Sequence, residues 1–196
     1  MSTVKSKKLQ VGTDATSSNN FTIYQPATPD GTLRIVVGNA DSPTEVGRFD
    51  SNGYVATNAP AFSVYPSSQQ AITTSTWTKV ALQNEEFDTN NCFDNTTNYR
   101  FTPTVEGYYQ VSFTCYISAV SGIINAIYKN GSHKHSGNVK LYTTSGGTAT
   151  TLSALIYMNG TTDYLEFYVW HNSGVDKNTS DVQTYTWATG YLARAV

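Results

Sequence analysis

The sequence has few charged residues and no long apolar run. Charged residues make up 13% of its 196 residues, roughly half of the usual share. The net charge is -2, and the only basic cluster is Lys5, Lys7 and Lys8, so the chain lacks the positive field that attracts nucleic acid. No apolar segment is long enough to span a bilayer as a helix. We therefore expect neither nucleic-acid binding nor membrane insertion.

Cysteine is scarce, and a secretory signal is missing. Residues 1–8 lack the apolar core of such a signal, so we expect synthesis and assembly in a cytoplasm. Cys92 and Cys115 are the only cysteines, which excludes a disulfide framework, while a bridge between these two stays open. Cys115 alternates in phase with Phe113 and Ile117, which favours a small buried apolar side chain.

Patterns for catalysis and metal binding are missing as well. The sequence contains no Gly-x-Ser-x-Gly, no His-Glu-x-x-His and no glycine-rich phosphate loop. Its acid cluster at residues 85–88 follows a predicted strand and is typical of a solvated loop. His133 and His135 have the spacing that aims two imidazoles at one metal from a strand, but no Cys, Asp or Glu flanks them. We expect no enzymatic activity, no metal and no cofactor.

What the sequence does contain is a series of strand patterns. Residues 108–117 follow a turn and alternate between apolar and polar faces, which predicts a strand with one buried side. Similar segments recur from residue 59 to 196, and no segment of helical periodicity interrupts them. We expect hairpins at Asn130-Gly131, between residues 98–102 and 108–117, and between residues 150–158 and 163–170. The sequence predicts an all-β jelly-roll sandwich for residues 59–196.

Residues 1–58 differ from the rest of the chain. A polar arm leads into short strand candidates at residues 21–24, 33–37 and 46–49, separated by turn signals. These strands carry too few apolar residues to form a core of their own. We expect this small β segment to bury its apolar side chains against copies of itself or against a larger partner.

Residues 59–196 resemble the globular head of complement component 1q, a tumour-necrosis-factor-like jelly roll. The resemblance rests on Tyr99, Phe101, Pro103, Gly107, Tyr108, Phe113, the Asn130-Gly131 turn and the final Thr189-Gly190-Tyr191-Leu192. It implies a trimer that binds other molecules and has no catalytic role. The chain lacks the collagen-like stalk of that family, and the residues that bind calcium in some members have no counterpart.

Residues 30–35, 49–55 and 59–63 look like the amino-terminal β segment of bacteriophage fibre and decoration proteins. In those proteins the segment joins a virion attachment region to a carboxy-terminal head. The resemblance implies that residues 1–58 attach the chain to a major capsid protein or to another virion component. The candidate attachment residues are Lys5, Lys7, Lys8, Phe21, Ile23, Leu33 and Ile35.

The strand candidate at residues 163–170 is apolar on one face and aromatic on the other. In the resembled family, outward aromatic residues pack around a threefold axis, and Tyr and Trp are favoured at interfaces. The alternative is packing beneath a loop of the same subunit. The candidate residues of the trimer interface are Tyr164, Tyr168, Trp170, Tyr108 and Tyr116.

These features favour a phage virion structural protein, a homotrimeric capsid decoration or cement protein attached through its amino-terminal segment. The chain has no long shaft, which argues for cement over a tail fibre. The alternatives are a receptor-binding head that recognises host glycans, through the polar loops at residues 143–150 and 172–180, and a soluble complement-like binding module.

Overall fold

The structure is a computed structural model that describes residues 8–16, 19–26, 28, 30–38, 44–51, 53–56, 59–118, 122–138, 140–141 and 147–196. The chain divides into two compact units, Met1–Asn58 and Ala59–Val196. The described residues form β-strands and contain no α-helix, so the expected all-β class is confirmed.

The first unit is a five-stranded antiparallel meander with the strand order β1-β2-β3-β4-β5. Its strands are β1 (Lys8–Val11), β2 (Phe21–Tyr24), β3 (Leu33–Val37), β4 (Thr44–Asp50) and β5 (Gly53–Ala56). Strand β1 lies in the segment that the sequence predicts as a polar arm. Its alternation is too short to be recognised alone, but it pairs with β2 along its whole length, which satisfies the backbone groups that face β2.

The second unit contains fourteen strands. They are β6 (Ala61–Tyr65), β7 (Ala71–Ile72), β8 (Thr78–Lys79), β9 (Asn84–Asp88), β10 (Phe93–Asp94), β11 (Arg100–Phe101), β12 (Glu106–Ile117), β13 (Gly122–Lys129), β14 (Ser132–Ser136), β15 (Lys140–Leu141), β16 (Thr148–Asn159), β17 (Leu165–His171), β18 (Lys177–Asn178) and β19 (Trp187–Ala195).

Most of these strands form two facing antiparallel sheets. The front sheet has the order β16-β12-β19-β6-β9, and the back sheet has the order β10-β11-β17-β13-β14, with β8 on β17 and β15 on β13. Strands β7 and β18 pair separately. Neighbours in the front sheet are far apart in sequence, as Tyr108 pairs with Arg194. This order is that of a sandwich whose chain crosses repeatedly between sheets.

Two of the three expected hairpins are wrong. Strand β11 pairs with β10 and β17 in the back sheet, whereas β12 pairs with β16 and β19 in the front sheet. Strands β16 and β17 also lie in different sheets. The connections in question cross the sandwich instead of turning back within one sheet. The third hairpin is confirmed, since β13 and β14 pair across Asn130 and Gly131, whose φ angles are 53° and 74°.

The core lies between the two sheets and is rich in aromatic rings. The Phe62 and Phe101 ring centroids are 4.4 Å apart, and those of Phe113 and Phe167 are 5.2 Å apart. Cys92 and Cys115 are both buried and both free, so they are not bridged. Complete burial raises the pKa of the Cys115 thiol to about 12, as expected for a cysteine that acts as an apolar core residue.

Candidate self-association surface

The outer face of the front sheet is formed by alternate residues of β16, β12 and β19. We call this surface the front face. The registers of β12 with β16 and with β19 place these outward side chains side by side. Its members are Thr151, Ser153, Leu155 and Tyr157 on β16, Tyr108, Gln110, Ser112, Thr114 and Tyr116 on β12, and Trp187, Thr189 and Tyr191 on β19.

The centre of the front face is polar, uncharged and paired within the sheet. Gln110 Nε2 donates a hydrogen bond to Ser153 Oγ at 2.8 Å, and the hydroxyls of Ser112 and Ser153 are 2.8 Å apart. The hydroxyls of Thr114 and Thr151 are 2.9 Å apart. Because these side chains are short, a second molecule can approach the sheet closely here. No charged group has to be desolvated when it does.

One end of the front face is apolar and exposed. The Tyr108 and Tyr157 rings lie 5.7 Å apart between centroids, and Leu155 is 56% exposed. The hydroxyl of Tyr157 donates a hydrogen bond to the Glu106 carboxylate, which raises the pKa of Tyr157. Tyr191 is 55% exposed on the neighbouring strand. Exposed aromatic and leucine side chains beside an uncharged centre are typical of a surface that another protein covers.

The other end of the front face carries stacked aromatic rings and a cleft. Tyr116 stacks on Tyr185, with ring centroids 5.4 Å apart. The cleft has a volume of about 570 Å³, and Ser63 donates a hydrogen bond to Glu86 at 3.0 Å on its wall. Its lining residues are Ser63, Glu86, Phe87, Gln183, Thr184, Trp187 and Thr189. The charges of this region therefore lie near the edge strand β9, away from the centre of the face.

The outer face of the back sheet, which we call the back face, has a different character. Lys79 Nζ lies 3.0 Å from Glu166 Oε1, and it also donates to the backbone oxygen of Asn98 at 2.9 Å. The guanidinium carbon of Arg100 lies 4.5 Å from the centroid of the Tyr164 ring. Lys79 and Arg100 thus both have partners within the same chain.

The structure does not bring the five predicted interface residues together. Tyr108 and Tyr116 lie on the front face, whereas Tyr164, Tyr168 and Trp170 lie on the back face, on the opposite side of the sandwich. The Tyr168 ring stacks on Tyr128 with 4.0 Å between centroids. Packing within the subunit, the alternative considered from the sequence, therefore describes Tyr164 and Tyr168 in this structure. That any of the five residues forms a trimer contact stays a prediction.

Sequence reasoning missed Leu155, Tyr157 and Tyr191 as front-face residues. The alternation of residues 152–158 carries the signal, because Leu152, Ile156 and Met158 are buried while Ser153, Leu155 and Tyr157 are exposed.

The predicted attachment residues Phe21, Ile23, Leu33 and Ile35 share one face of the meander. Cross-strand pairing puts them beside Leu9, Val11, Val37 and Phe49, and we call these eight side chains the apolar meander face. Lys8 lies on the opposite face, next to Tyr24. Lys5 and Lys7 lie outside the described residues.

The two segments suggested for glycan binding are described in part. Residues 142–146 lie outside the described residues, and Thr148 and Thr150 are buried in β16. In the second segment, Lys177 and Asn178 pair with β7, and the Asp176 carboxylate accepts a hydrogen bond from the Thr74 amide at 3.1 Å. Glycan binding by either segment stays a prediction.

His171 and His133 make hydrogen bonds and ring contacts within the head. His171 is fully buried, with Nε2 2.9 Å from the Ile72 carbonyl oxygen and Nδ1 2.9 Å from the Ser173 hydroxyl. His133 packs edge-on against Trp77, with ring centroids 5.1 Å apart. In the described part of the chain, no three metal-binding side chains cluster together. The described residues contain no helix that is long and apolar enough to cross a membrane.

The second unit is similar in fold to known jelly-roll structures. The globular domain of zebrafish complement 1qA protein aligns with a TM-score of 0.53 at 17% identity, covering 70% of this chain and 99% of that one. Murine APRIL aligns with a TM-score of 0.55 at 8% identity, covering 68% and 98%. PRD1 vertex protein P5 aligns with a TM-score of 0.50 at 16% identity, covering 70% and 98%.

These similarities show the fold. It is the C1q/TNF-like jelly roll that the sequence predicts. No protein-family model matches the chain, and no curated protein sequence matches it.

Proposed function

We propose that this chain is a phage virion structural protein, a capsid decoration or cement protein whose head self-associates as a homotrimer through the front face. The observation that carries the proposal is the uncharged centre of the front face together with the exposed residues beside it, since Tyr108, Leu155, Tyr157 and Tyr191 are all at least 40% exposed. On the opposite side of the same sandwich, Lys79 and Glu166 form an ion pair within the chain. A head with one such face is expected to bury it against another copy.

The virion role is supported by the combination of units and by one fold likeness. The head is similar in fold to PRD1 vertex protein P5, a phage virion protein. Before the head in the sequence lies a separate compact unit, Met1–Asn58. We propose that this unit attaches the chain to a major capsid protein or another virion component.

A cement role requires no reactive group. Contact area spread over several shell subunits slows their separation, and three linked attachment units raise the effective concentration of each contact. The proposed activity is therefore binding and mechanical stabilisation rather than catalysis.

Deletion of residues 1–58 tests the proposal. We expect the remaining head, residues 59–196, to stay folded and self-associated by circular dichroism and sedimentation, and to lose its binding to purified virions in co-sedimentation. The full chain is the control, and electron microscopy of labelled particles locates it. Retained binding of the deletion variant would assign attachment to the head, and a label on the tail would favour the fibre alternative.

A further inference from the structure

One face of the amino-terminal meander is apolar and open to water. Cross-strand pairing sets Leu9 beside Ile23, Val11 beside Phe21, and Leu33 beside Phe49. These six side chains are between 38 and 60% exposed. The apolar meander face also includes Ile35 and Val37, and the exposed Thr44 lies opposite Val37 at its margin. An exposed apolar face of this extent marks an interaction surface.

The opposite face of the same meander is already occupied. Thr22 and Val36 are fully buried there, and Thr22 Oγ1 donates to the Gly38 carbonyl oxygen. Arg34 and Arg48 both reach the Glu45 carboxylate, at 3.2 Å and 3.0 Å. The unit therefore satisfies its polar face internally and leaves its apolar face for another molecule.

We infer that the occupant of the apolar meander face is the same face of other copies of this chain. Permanent homo-oligomers have interfaces that resemble a core cut in half, and a predominantly apolar face matches that type. A shell protein that folds separately would leave the face in water until the two meet, which favours aggregation. Copies of the chain are brought together as soon as their heads associate.

The small area of the apolar meander face indicates that the copies must also be held together by another part of the chain. The residues of the face lie on four strands, and roughly 4.8 Å between strands and about 3.3 Å per residue give a face of roughly 19 by 15 Å. This is less than half of the ~800 Å² per partner of a standard stable interface. The meander contact therefore needs a second contact, and the inference rests on the head association proposed above. Joined meanders would present three attachment units together, which strengthens binding to a shell.

Cysteine placement in the full chain tests the inference. Both native cysteines are buried, so an introduced thiol is the reactive one. Leu33→Cys puts a thiol on the central strand of the apolar meander face, and Gln10→Cys, at an exposed side chain of the edge strand β1 that points to the other side, is the control. Phe49→Cys, on the residue that pairs with Leu33, is a second test variant if the first does not fold.

We expect Leu33→Cys to react with a maleimide at least about tenfold more slowly than Gln10→Cys, because its thiol is accessible only when the copies separate. Mild oxidation should link Leu33→Cys chains into covalent dimers and leave one chain of each trimer unlinked, since three thiols around a threefold axis form one disulfide. Gln10→Cys should stay unlinked.

Three outcomes overturn the inference. Fast labelling of Leu33→Cys in a protein that still sediments as an oligomer refutes the meander contact and leaves the head association intact. Cross-linking of Leu33→Cys to a different protein on intact virions assigns the face to the shell. A lone subunit in sedimentation refutes both the meander contact and the association of heads.

Discussion

Tyr108 and Tyr157 lie directly opposite each other on β12 and β16, with ring centroids 5.7 Å apart. Both rings point away from the core, whereas their sequence neighbours Tyr109 and Met158 are fully buried. One strand pair thus supplies the core with one face and an exposed aromatic surface with the other. This surface is where the proposed self-association is most directly tested.

Replacing Tyr157 by alanine is expected to weaken self-association of the head. Loss of a large aromatic contact at an interface costs about 1–3 kcal/mol, which is roughly a 5- to 150-fold rise in the dissociation constant. Sedimentation velocity over a concentration series measures the change. Tyr168→Ala, on the back face, is the matched control and should lower stability without altering the oligomer. The reverse result would assign the interface to the back face.

Replacing Glu166 by alanine is expected to destabilise the head. The carboxylate is 9% exposed and receives Lys79 Nζ at 3.0 Å, so its removal leaves the ammonium without its charge partner. Lys79 is 30% exposed and is partly rehydrated, which limits the expected loss to about 1–3 kcal/mol. Urea unfolding measures the loss. The exposed Glu85→Ala control should change stability by less than about 0.5 kcal/mol, and an equal effect of the two changes would contradict the role of the pair.

Asp94 is expected to contribute stability that depends on pH. The backbone amide of Thr97 donates a hydrogen bond to the Asp94 carboxylate, and this bond lowers the pKa of the carboxyl most. Slight desolvation raises the pKa, whereas hydrogen bonds from Asn98 and from the Thr96 amide lower it further. Together they hold the pKa of the Asp94 carboxyl well below its usual value of 3.8. Because the folded-state pKa is lowered, the contribution is complete above the unfolded-state pKa and is lost as the pH falls toward the folded-state value.

The comparison of wild type with Asp94→Asn tests this pH dependence. The difference in Tm should be constant from neutral pH down to about pH 5 and should shrink below about pH 4. Asp181→Asn, on an exposed loop residue, is the control and should show no such trend. A Tm difference that grows on acidification would contradict the prediction.

Gly190 is expected to be sensitive to the addition of one methyl group. A Cβ at this position would meet a ring carbon of Phe62 at 2.7 Å and the Gln110 carbonyl oxygen at 3.2 Å, in the middle of the front sheet. Gly190→Ala should therefore cost about 1–3 kcal/mol through overpacking. Thermal unfolding measures the loss. A Cβ at Gly174 would meet open space, but the φ of this residue is 78°. A loss of stability in Gly174→Ala would therefore reflect backbone strain alone.

The faces of individual strands could be predicted from sequence. The alternation of residues 108–117 correctly assigns Tyr109, Val111 and Phe113 to the core, because side chains alternate along any extended strand. The Asn130-Gly131 turn could also be predicted, since both residues adopt the positive φ that this dipeptide favours. The grouping of Phe21, Ile23, Leu33 and Ile35 as one functional set is compatible with their common face.

The sheet to which each strand belongs could not be predicted. The turn at residues 159–162 has hairpin chemistry, and Asn159 Oδ1 accepts hydrogen bonds from the Thr161, Thr162 and Asp163 amides, yet it leads from the front sheet to the back sheet. A local turn pattern does not specify whether the next strand pairs with the last one or crosses the core. Tyr108 and Tyr168 therefore looked equivalent in sequence.

The amino-acid sequence by itself determined the all-β class, the apolar side of each long strand and the unusual amino-terminal segment, because these depend on local periodicity and turn chemistry. Only the tertiary structure decided which outward aromatic residues share a surface. Strand partners come from distant parts of the chain, as β12 pairs with β19 some eighty residues later. Backbone hydrogen bonds between such strands are the same for any sequence, so shape and packing of the whole domain select them.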